Sequence, residues 1–569
     1  MNLLSFPDDV FILIVERLVA TIGICKAVQL RSVNSKFPSL KRGKQKSPMA
    51  FLDVAKSDAT ITLGSFNSTV MLAICGSQVI DINDPATPYL SRHMTPPLKG
   101  KILLAKSRSS EVTEDDRLSV IASVNQALDG LTHASEERRL EQHQMIAEAV
   151  AHKYRGSPFE RENANRDISV DIEAQNLLCG AIVLGNMRLV NYLLQQRPCA
   201  LAAVNTESPY FGQPLQLAAA WDHIDVVRYL LACGADPHRT SEDSEDGTNW
   251  VPDMKLGMAW GSVYRNPSGS ALRAAVLTGH NDIAHLLLEP QYRLSHVKVE
   301  YFRAVLTAAQ TGNLHLIELL IKMTGKTLSN FSGLGQEMLY VAAYYGQQEV
   351  VRMLLESGVS GVDVSEIPSK DVGHEGALSL AAQRGNATMV SFLLAHGAEV
   401  NFSLYNQSRH DPIHAAAIRG HQEVVEILLE HGDSSERALR NAADGGQLHL
   451  VKWLLNKDPK LPRKTWPDGR EVGKEALQRA IVVKSPEVIT LLVNSGVPLN
   501  DGYEDWEIPI VWAKQLAADW IVNLLLALGA ENRDVDEDTP EDVPQNHWEG
   551  MRRGGVRLTQ RTWEWASKY

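Results

Sequence analysis

The sequence predicts an all-α protein, a solenoid of helix-turn-helix units with projecting turn fingers, behind a small helical module. Three observations carry this. First, one segment recurs with little change: Leu339-Tyr-Val-Ala-Ala-Tyr-Tyr-Gly346, Leu378-Ser-Leu-Ala-Ala-Gln-Arg-Gly385 and Ile413-His-Ala-Ala-Ala-Ile-Arg-Gly420. Second, each glycine is followed five residues later by Val and then by a Leu-Leu pair, as at Val390 with Leu393-Leu394 and Val425 with Leu428-Leu429. Third, the spacing is regular: Gly279, Gly312 and Gly346 lie 33 and 34 residues apart, and Gly385 and Gly420 lie 35 apart. A fixed period of this size marks a stack of supersecondary units that cannot bury their apolar faces alone.

The elements follow in chain order. Phe6-Pro7-Asp8-Asp9-Val10 sets Pro at a helix start, where its missing N–H costs little, with acids beside the positive helix end. Val10, Ile14 and Leu18 then recur at helical spacing, and a second helix at 26–37 puts Leu30, Val33 and Phe37 on one face. These residues resemble an F-box. Phe6-Pro7 stands for the family's Leu-Pro, Asp9 for its Glu, and Leu30-Arg-Ser-Val-Asn-Ser-Lys-Phe37 for its second helix, with Asn34 replacing the usual Ser. The resemblance implies that Phe6, Pro7, Val10, Ile14, Leu18, Leu30, Val33 and Phe37 bind a Skp-type adaptor that couples the chain to a cullin ubiquitin ligase. Read without it, 1–40 is a helical hairpin capping the first repeats.

Residues 41–66 form an irregular insertion or a retained intron. Lys41-Arg-Gly-Lys-Gln-Lys46 is a short basic run, and a helical pattern resumes only at Asn67. Residues 67–165 read as a helical linker and N-terminal cap. Leu98–Ala105 is followed by helical patterns at Arg117–Leu128 and Glu136–His152, the second covering the exposed edge of the first repeat.

The repeat array occupies 166–530. The glycine position marks ten units at Gly185, Asp222, Gly279, Gly312, Gly346, Gly385, Gly420, Gly446, Lys484 and Ala517. An Ala-Ala pair lets a short first helix lie close to its neighbours, and a Gly at its end turns the backbone at positive φ without a Cβ clash. Gly234–Pro237 and Gly397–Asn401 open projecting fingers. Two spacings depart: 57 residues from Asp222 to Gly279, holding an insertion at 240–270, and 26 from Gly420 to Gly446. The pattern resembles the ankyrin repeat, whose signature begins Thr-Pro-Leu-His-x-Ala. Asp411-Pro-Ile-His-Ala-Ala-Ala-Ile-Arg-Gly-His421 departs from it mainly at its first residue. An F-box followed by ankyrin repeats is similar to many proteins of filamentous fungi. Beyond Ala530, residues 531–569 are an acidic linker and a tail rich in Trp and Arg.

Composition narrows the function. Hydrophobic residues make up 44% and charged residues 22%, which fits a folded chain. The net charge of −12 argues against a nucleic-acid partner. The five Cys contain no Cys-x-x-Cys, which suits a reducing compartment. Val10–Val15 is interrupted by Glu16-Arg17, so no signal peptide or membrane span is expected, and the location expected is cytoplasmic or nuclear.

No catalytic constellation, cofactor site or metal site is expected. Met323-Thr-Gly-Lys-Thr327 ends like a phosphate loop, but Leu320 stands where an earlier Gly is required. His410 and His414 are four apart, yet His414 is the repeat's own His. What remains is recognition of a protein client. In ankyrin arrays the two residues before each repeat Gly face the concave side. Here they include Ala220-Trp221, Tyr344-Tyr345, Gln383-Arg384 and Ile418-Arg419. Trp221, Tyr344, Tyr345, Arg384 and Arg419, with Trp250 and Trp260 of the insertion, are the expected client contacts, because Trp, Tyr and Arg dominate interface hot spots. The competing role for each aromatic ring is packing on the neighbouring unit. The expected function is a substrate receptor of a Skp-cullin-F-box ligase; the alternative is a scaffold unrelated to ubiquitin.

Overall fold

Two short helices joined by a tight turn are the folding unit, and the apolar period dictates where each lies. The computed structural model describes residues 96–108, 116–153, 170–240, 269–296, 299–331, 333–366, 376–400, 411–467, 469–501, 508–516 and 518–533. Among these residues there are twenty-four α-helices and two short 3-10 helices. Extended pairing among them is limited to two isolated bridges, Ser208 with Gly212 and Thr465 with Glu471. No helix among them is long and apolar enough to cross a membrane. The chain divides into two compact units, Met1–Lys326 and Thr327–Tyr569. The F-box-like segment, most of the 240–270 insertion, and the tail lie outside the described residues.

The described residues of the first unit begin with helices α1 (Pro96–Ser107), α2 (Asp116–Thr132) and α3 (Glu136–Lys153), which pack on one another. Helix α3 covers the span expected to cap the array, but α2 supplies more of the cover on the first repeat helix, α4 (Val170–Val183), while α3 lies mainly against α1. Gly180 allows this approach: a Cβ there would stand 2.7 Å from Cγ1 of Val124. Four inner helices, α4, α7 (Pro214–Ala220), α9 (Ala271–Thr278) and α11 (Val299–Thr311), then pack in succession. Their outer partners are α5 (Met187–Gln195), α8 (Ile224–Ala232), α10 (Asn281–Leu287) and α12 (Leu314–Met323). A short extra helix, α6 (Ala200–Asn205), occupies the first finger.

In the second unit the inner helices are α13 (Leu334–Tyr345), α15 (Ala377–Gln383), α17 (Pro412–Ala417), α19 (Ser435–Asp444), α21 (Val472–Val482) and α23 (Pro509–Gln515). Each packs on the next. The outer helices are α14 (Gln348–Glu356), α16 (Ala387–Ala395), α18 (Gln422–Glu430), α20 (Leu448–Lys457), α22 (Pro486–Asn494) and α24 (Asp519–Ala527).

The recurring residues do what their types require. The Ala-Ala pairs at 342–343, 381–382 and 416–417 are fully buried between inner helices. On the outer helices Val351, Val390, Val425 and Val451 are fully buried. Leu354, Leu393, Leu428 and Leu454, the first of each Leu pair, are buried with them, while Leu355, Leu394 and Leu429 are half-exposed. Burying one such Leu is worth roughly 1.5–3 kcal/mol, so the stripe holds the stack together.

The turn at the repeat glycine has a positive φ at Gly185, Gly279, Gly312, Gly346, Gly385, Gly420 and Gly446, and also at Asp222 (60°) and Lys484 (56°). The next side chain then decides a second function. Asn186, Asn313 and Asn386 cap their own outer helix, each Oδ1 accepting the N–H three residues on. His or Gln reaches back to the preceding repeat instead. His223 Nε2 donates to the carbonyl of Val183 at 2.9 Å, His280 to Ala220 at 3.1 Å, His421 to Gln383 at 3.2 Å, and Gln447 Nε2 to Ile418 at 2.9 Å. These carbonyls end inner helices and have no partner within their own helix. The ring lies directly over the earlier glycine: a Cβ on Gly185 would stand 2.5 Å from His223, and one on Gly385 2.6 Å from His421. Where Asp222 replaces the glycine, its carboxylate stands 3.4 Å from Nδ1 of His280.

Fingers are joined by amide clamps. Asn205 donates to the carbonyl of Gly234 and accepts the N–H of Asp236. Gln336 does both with Asp363, and Asn500 does so with Gly529 and Glu531.

Candidate protein-recognition face

The two residues before each turn sit at the ends of the inner helices, most of them half-buried and Ile418 buried. In the first unit this row carries no charge: Ala220-Trp221, Leu277-Thr278 and Gln310-Thr311. Thr278 and Thr311 donate their hydroxyls to carbonyls of their own helices. Trp221 is half-buried and meets His152 of α3 in a T-shaped contact, with ring centroids 6.5 Å apart.

The second unit is different. Tyr344 and Tyr345, at the end of α13, meet edge to face with centroids 5.1 Å apart and planes at 75°. Burial pushes the Tyr345 hydroxyl well above the usual phenol range, with Arg384 opposing. Arg384, one repeat on, lays its guanidinium carbon 4.8 Å from the centre of the Tyr344 ring. Such a cation–π contact is worth about 0.5–1 kcal/mol where exposed. Arg419 stands at the same position of the next repeat, half-buried, and donates through Nη1 to the carbonyl of Ala415 at 3.3 Å. Gly445 follows in the next repeat. A Cβ there would collide with the carbonyl of Ile418, so this position must lack a side chain.

Four other arginines of the unit pair with carboxylates. Arg352 lies 3.4 Å from both Glu349 and Glu356. Arg440 is 3.7 Å from Glu475, and Arg479 bridges Glu475 and Asp444. Arg437 binds Asp411 and, at 2.6 Å, Asp433. Arg384 has no carboxylate within salt-bridge distance among the described residues; its partner is an aromatic face.

This buried ionic network was missed in the sequence. Arg437 and Arg440 occupy the Thr and His positions of the repeat signature, and Glu475 the next Thr position. The 26-residue spacing was its one visible sign: with no finger, the short link after α18 carries Asp433 inward beside Asp411. Their side chains are 0% and 5% exposed. Burial pushes the Asp411 carboxyl up to about 7, with Arg437 pulling down and Asp433 pushing up. Asp433 and Asp444 are raised by burial too. His414 is driven down to about 4, again mainly by burial. In the first unit, Glu300 is buried between Arg273 (3.5 Å) and Arg303 (3.8 Å), and accepts the N–H of Ser270 at 2.7 Å.

Of the expected client contacts, the structure brings Tyr344, Tyr345, Arg384 and Arg419 into one row on three consecutive inner helices. Trp221 belongs to the other unit. Trp250 and Trp260, and the adaptor contacts Phe6, Pro7, Val10, Ile14, Leu18, Leu30, Val33 and Phe37, lie outside the described residues, as does His410. Leu320, at the would-be phosphate loop, is buried in α12 and its carbonyl accepts the Tyr301 hydroxyl.

Comparison with known proteins agrees with the repeat reading. The family model described as ankyrin repeats (3 copies) matches residues 272–367 and 362–438, and the single ankyrin-repeat model matches 213–242. The ankyrin repeat and KH domain-containing protein mask-1 of Caenorhabditis elegans is 31% identical over 201 residues, 33% of this chain and 7% of that protein. The B-cell lymphoma 3 protein homolog of Mus musculus is 29% identical over 179 residues, 29% of this chain and 36% of that protein. The chain therefore spans only a minor part of either curated relative. The crystal structure of the human ASB11 ankyrin repeat domain matches with 25% identity and a TM-score of 0.31, over 41% of this chain and 99% of that one. This chain carries ankyrin repeats, and such repeats imply protein–protein interaction.

Proposed function

We propose that the chain is a recognition protein whose second unit holds a protein client on the half-buried ends of its inner helices. The carrying observation is the row Tyr344, Tyr345, Arg384 and Arg419. Tyr and Arg are the residue types that concentrate binding energy, and a ring fixed by a neighbouring ring and a guanidinium loses little freedom on binding. The F-box-like residues at 1–40 support a finer reading, in which a Skp-type adaptor and a cullin dock at the N-terminus and the client is presented for ubiquitin transfer. That places the protein in the cytoplasm or nucleus. A scaffold without ubiquitin chemistry would use the same client face and lack the adaptor.

Affinity purification with mass spectrometry separates these readings. Tyr345→Ala with Arg384→Ala should deplete a defined set of partners while the melting temperature stays close to wild type, since hot-spot truncations cost about 2 kcal/mol of binding or more. An unchanged partner set with a large fall in melting temperature would show the rings to be packing groups. Val33→Asp should abolish co-purification of adaptor and cullin and leave client capture intact. Undiminished adaptor would remove the ligase reading and leave the scaffold.

A further inference from the structure

We propose that the flank of α24 carrying Val522, Asn523 and Leu526 is a docking surface for the chain's own segment 539–565, which takes the place of a further repeat. This holds whether or not the second unit binds a client.

Contacts between outer helices show which flank faces forward. The fifth residue of an outer helix reaches the next one. Asn191 of α5 accepts the Tyr229 hydroxyl of α8 at 2.6 Å. His285 of α10 meets the His315 ring of α12 with centroids 5.8 Å apart. Arg352 of α14 stands 5.1 Å from the centre of the Phe392 ring of α16. Asn523 holds this position in α24, and it is exposed. Val522 and Leu526, four apart, line the same flank on its core side.

The apolar stripe is left open there. Val351, Val390, Val425, Val451 and Ile489 hold the place of Val522 in earlier units and are fully buried, whereas Val522 is only half-buried. Leu526 is 38% exposed, where Leu355, Leu394, Leu429 and Val493 are half-buried and Leu455 is buried. Units of a solenoid cover one another, so an open stripe at the last described unit calls for a cap.

The chain leaves α24 as it leaves a unit that has a successor. Asn500 holds Gly529 and Glu531 by the same two bonds with which Asn205 holds Gly234 and Asp236. Gly234-Ala-Asp leads on to another repeat, and Gly529-Ala-Glu matches it in sequence. Lys514 Nζ of α23 then donates to Asn532 Oδ1 at 2.9 Å and to the carbonyl of Arg533 at 2.6 Å, holding the last described residues against that helix.

The sequence beyond Arg533 keeps the period. Thr539-Pro540, the opening pair of the repeat signature, stands 31 residues after Ile508-Pro509. Gly550 stands 33 after Ala517, as Ala517 stands 33 after Lys484. Leu558 falls eight residues after Gly550, as Leu393 falls eight after Gly385 and Leu428 eight after Gly420. Pro544 and the Gly554-Gly555 pair break the pattern of a regular unit, since both residue types disfavour a helix interior. Val556, Leu558, Trp563 and Trp565 supply apolar side chains to set against Val522 and Leu526.

Photo-crosslinking of the purified full chain tests this. With p-benzoylphenylalanine in place of Asn523, irradiation should join α24 to a peptide within 539–565, in a product of single-chain mass. A joined product of twice that mass makes the occupant a second copy and overturns the proposal. Links confined to residues outside 539–565, or no link, overturn it too. Leu558→Asp should speed amide exchange in α24 about tenfold and leave α13 at wild-type rates. Leu558→Ala serves the same comparison if the charged variant does not fold. Unchanged exchange in α24 also overturns the proposal.

Discussion

At the residue scale, the turn glycines carry two separable demands. Gly385 needs a positive φ and also space beneath His421, whereas a Cβ on Gly397, where φ is 92°, would have nothing within 4 Å. Gly385→Ala should therefore destabilise more than Gly397→Ala, which carries only the conformational cost of about 1 kcal/mol. Urea denaturation of both variants measures the difference, and equal losses would remove the steric part. The ionic network makes a second prediction. A carboxyl such as Asp411, raised from 3.8 to about 7 in the folded chain, favours folding at low pH, and that stability is lost as pH rises through about 7. His414, lowered from 6.5 to about 4, acts in the opposite sense: its stability is present above 6.5 and lost as pH falls towards 4. Between about pH 4 and 7 the two offset. Asp411→Asn should make stability climb with pH relative to wild type across that window, and His414→Gln should make it fall. Parallel profiles for all three proteins would refute the opposed pair. The left-handed turns, including those at Asp222 and Lys484, were legible because the period counts to them whatever residue stands there. The pairing of Arg437 with Asp411 and Asp433 was not, because it depends on how far inward the short link folds.

At the scale of the element, inner helices are set by small residues and outer helices by an apolar stripe. Ala382 is fully buried, while Ser391 is exposed on α16. Ala382→Leu should cost roughly 1–3 kcal/mol by overpacking, and Ser391→Ala should be nearly silent. Matched melting temperatures would contradict the repeat register. The helices were readable from periodicity, since the Val and Leu-Leu positions name the buried side. The cover on the first repeat was read less well. The pattern at 136–152 is amphipathic in its own right, and nothing local tells it to face α1 and leave much of α4 to α2. The row Tyr344 to Arg419 was legible as a set of positions, but the stacking of Arg384 on Tyr344 arises only when consecutive repeats are laid side by side.

On the scale of the whole molecule, the two compact units each hold a core of their own, as expected of an array whose stability is a sum over units and their neighbours. Ala382→Leu should lower amide-exchange protection within 327–533 and leave 170–326 at wild-type protection. A uniform loss across both would show one cooperative array. Length alone would not have suggested this division, because the repeat period runs through Lys326 without a break in pattern. The back-reaching bonds also have a direction. His223, His280, His421 and Gln447 each donate to a carbonyl of the repeat that precedes them in the chain. A chain leaving the ribosome presents its N-terminal residues first. Each of these donors therefore emerges after its acceptor has already been made, so a nascent repeat can lock onto finished protein without waiting for any sequence still to be translated.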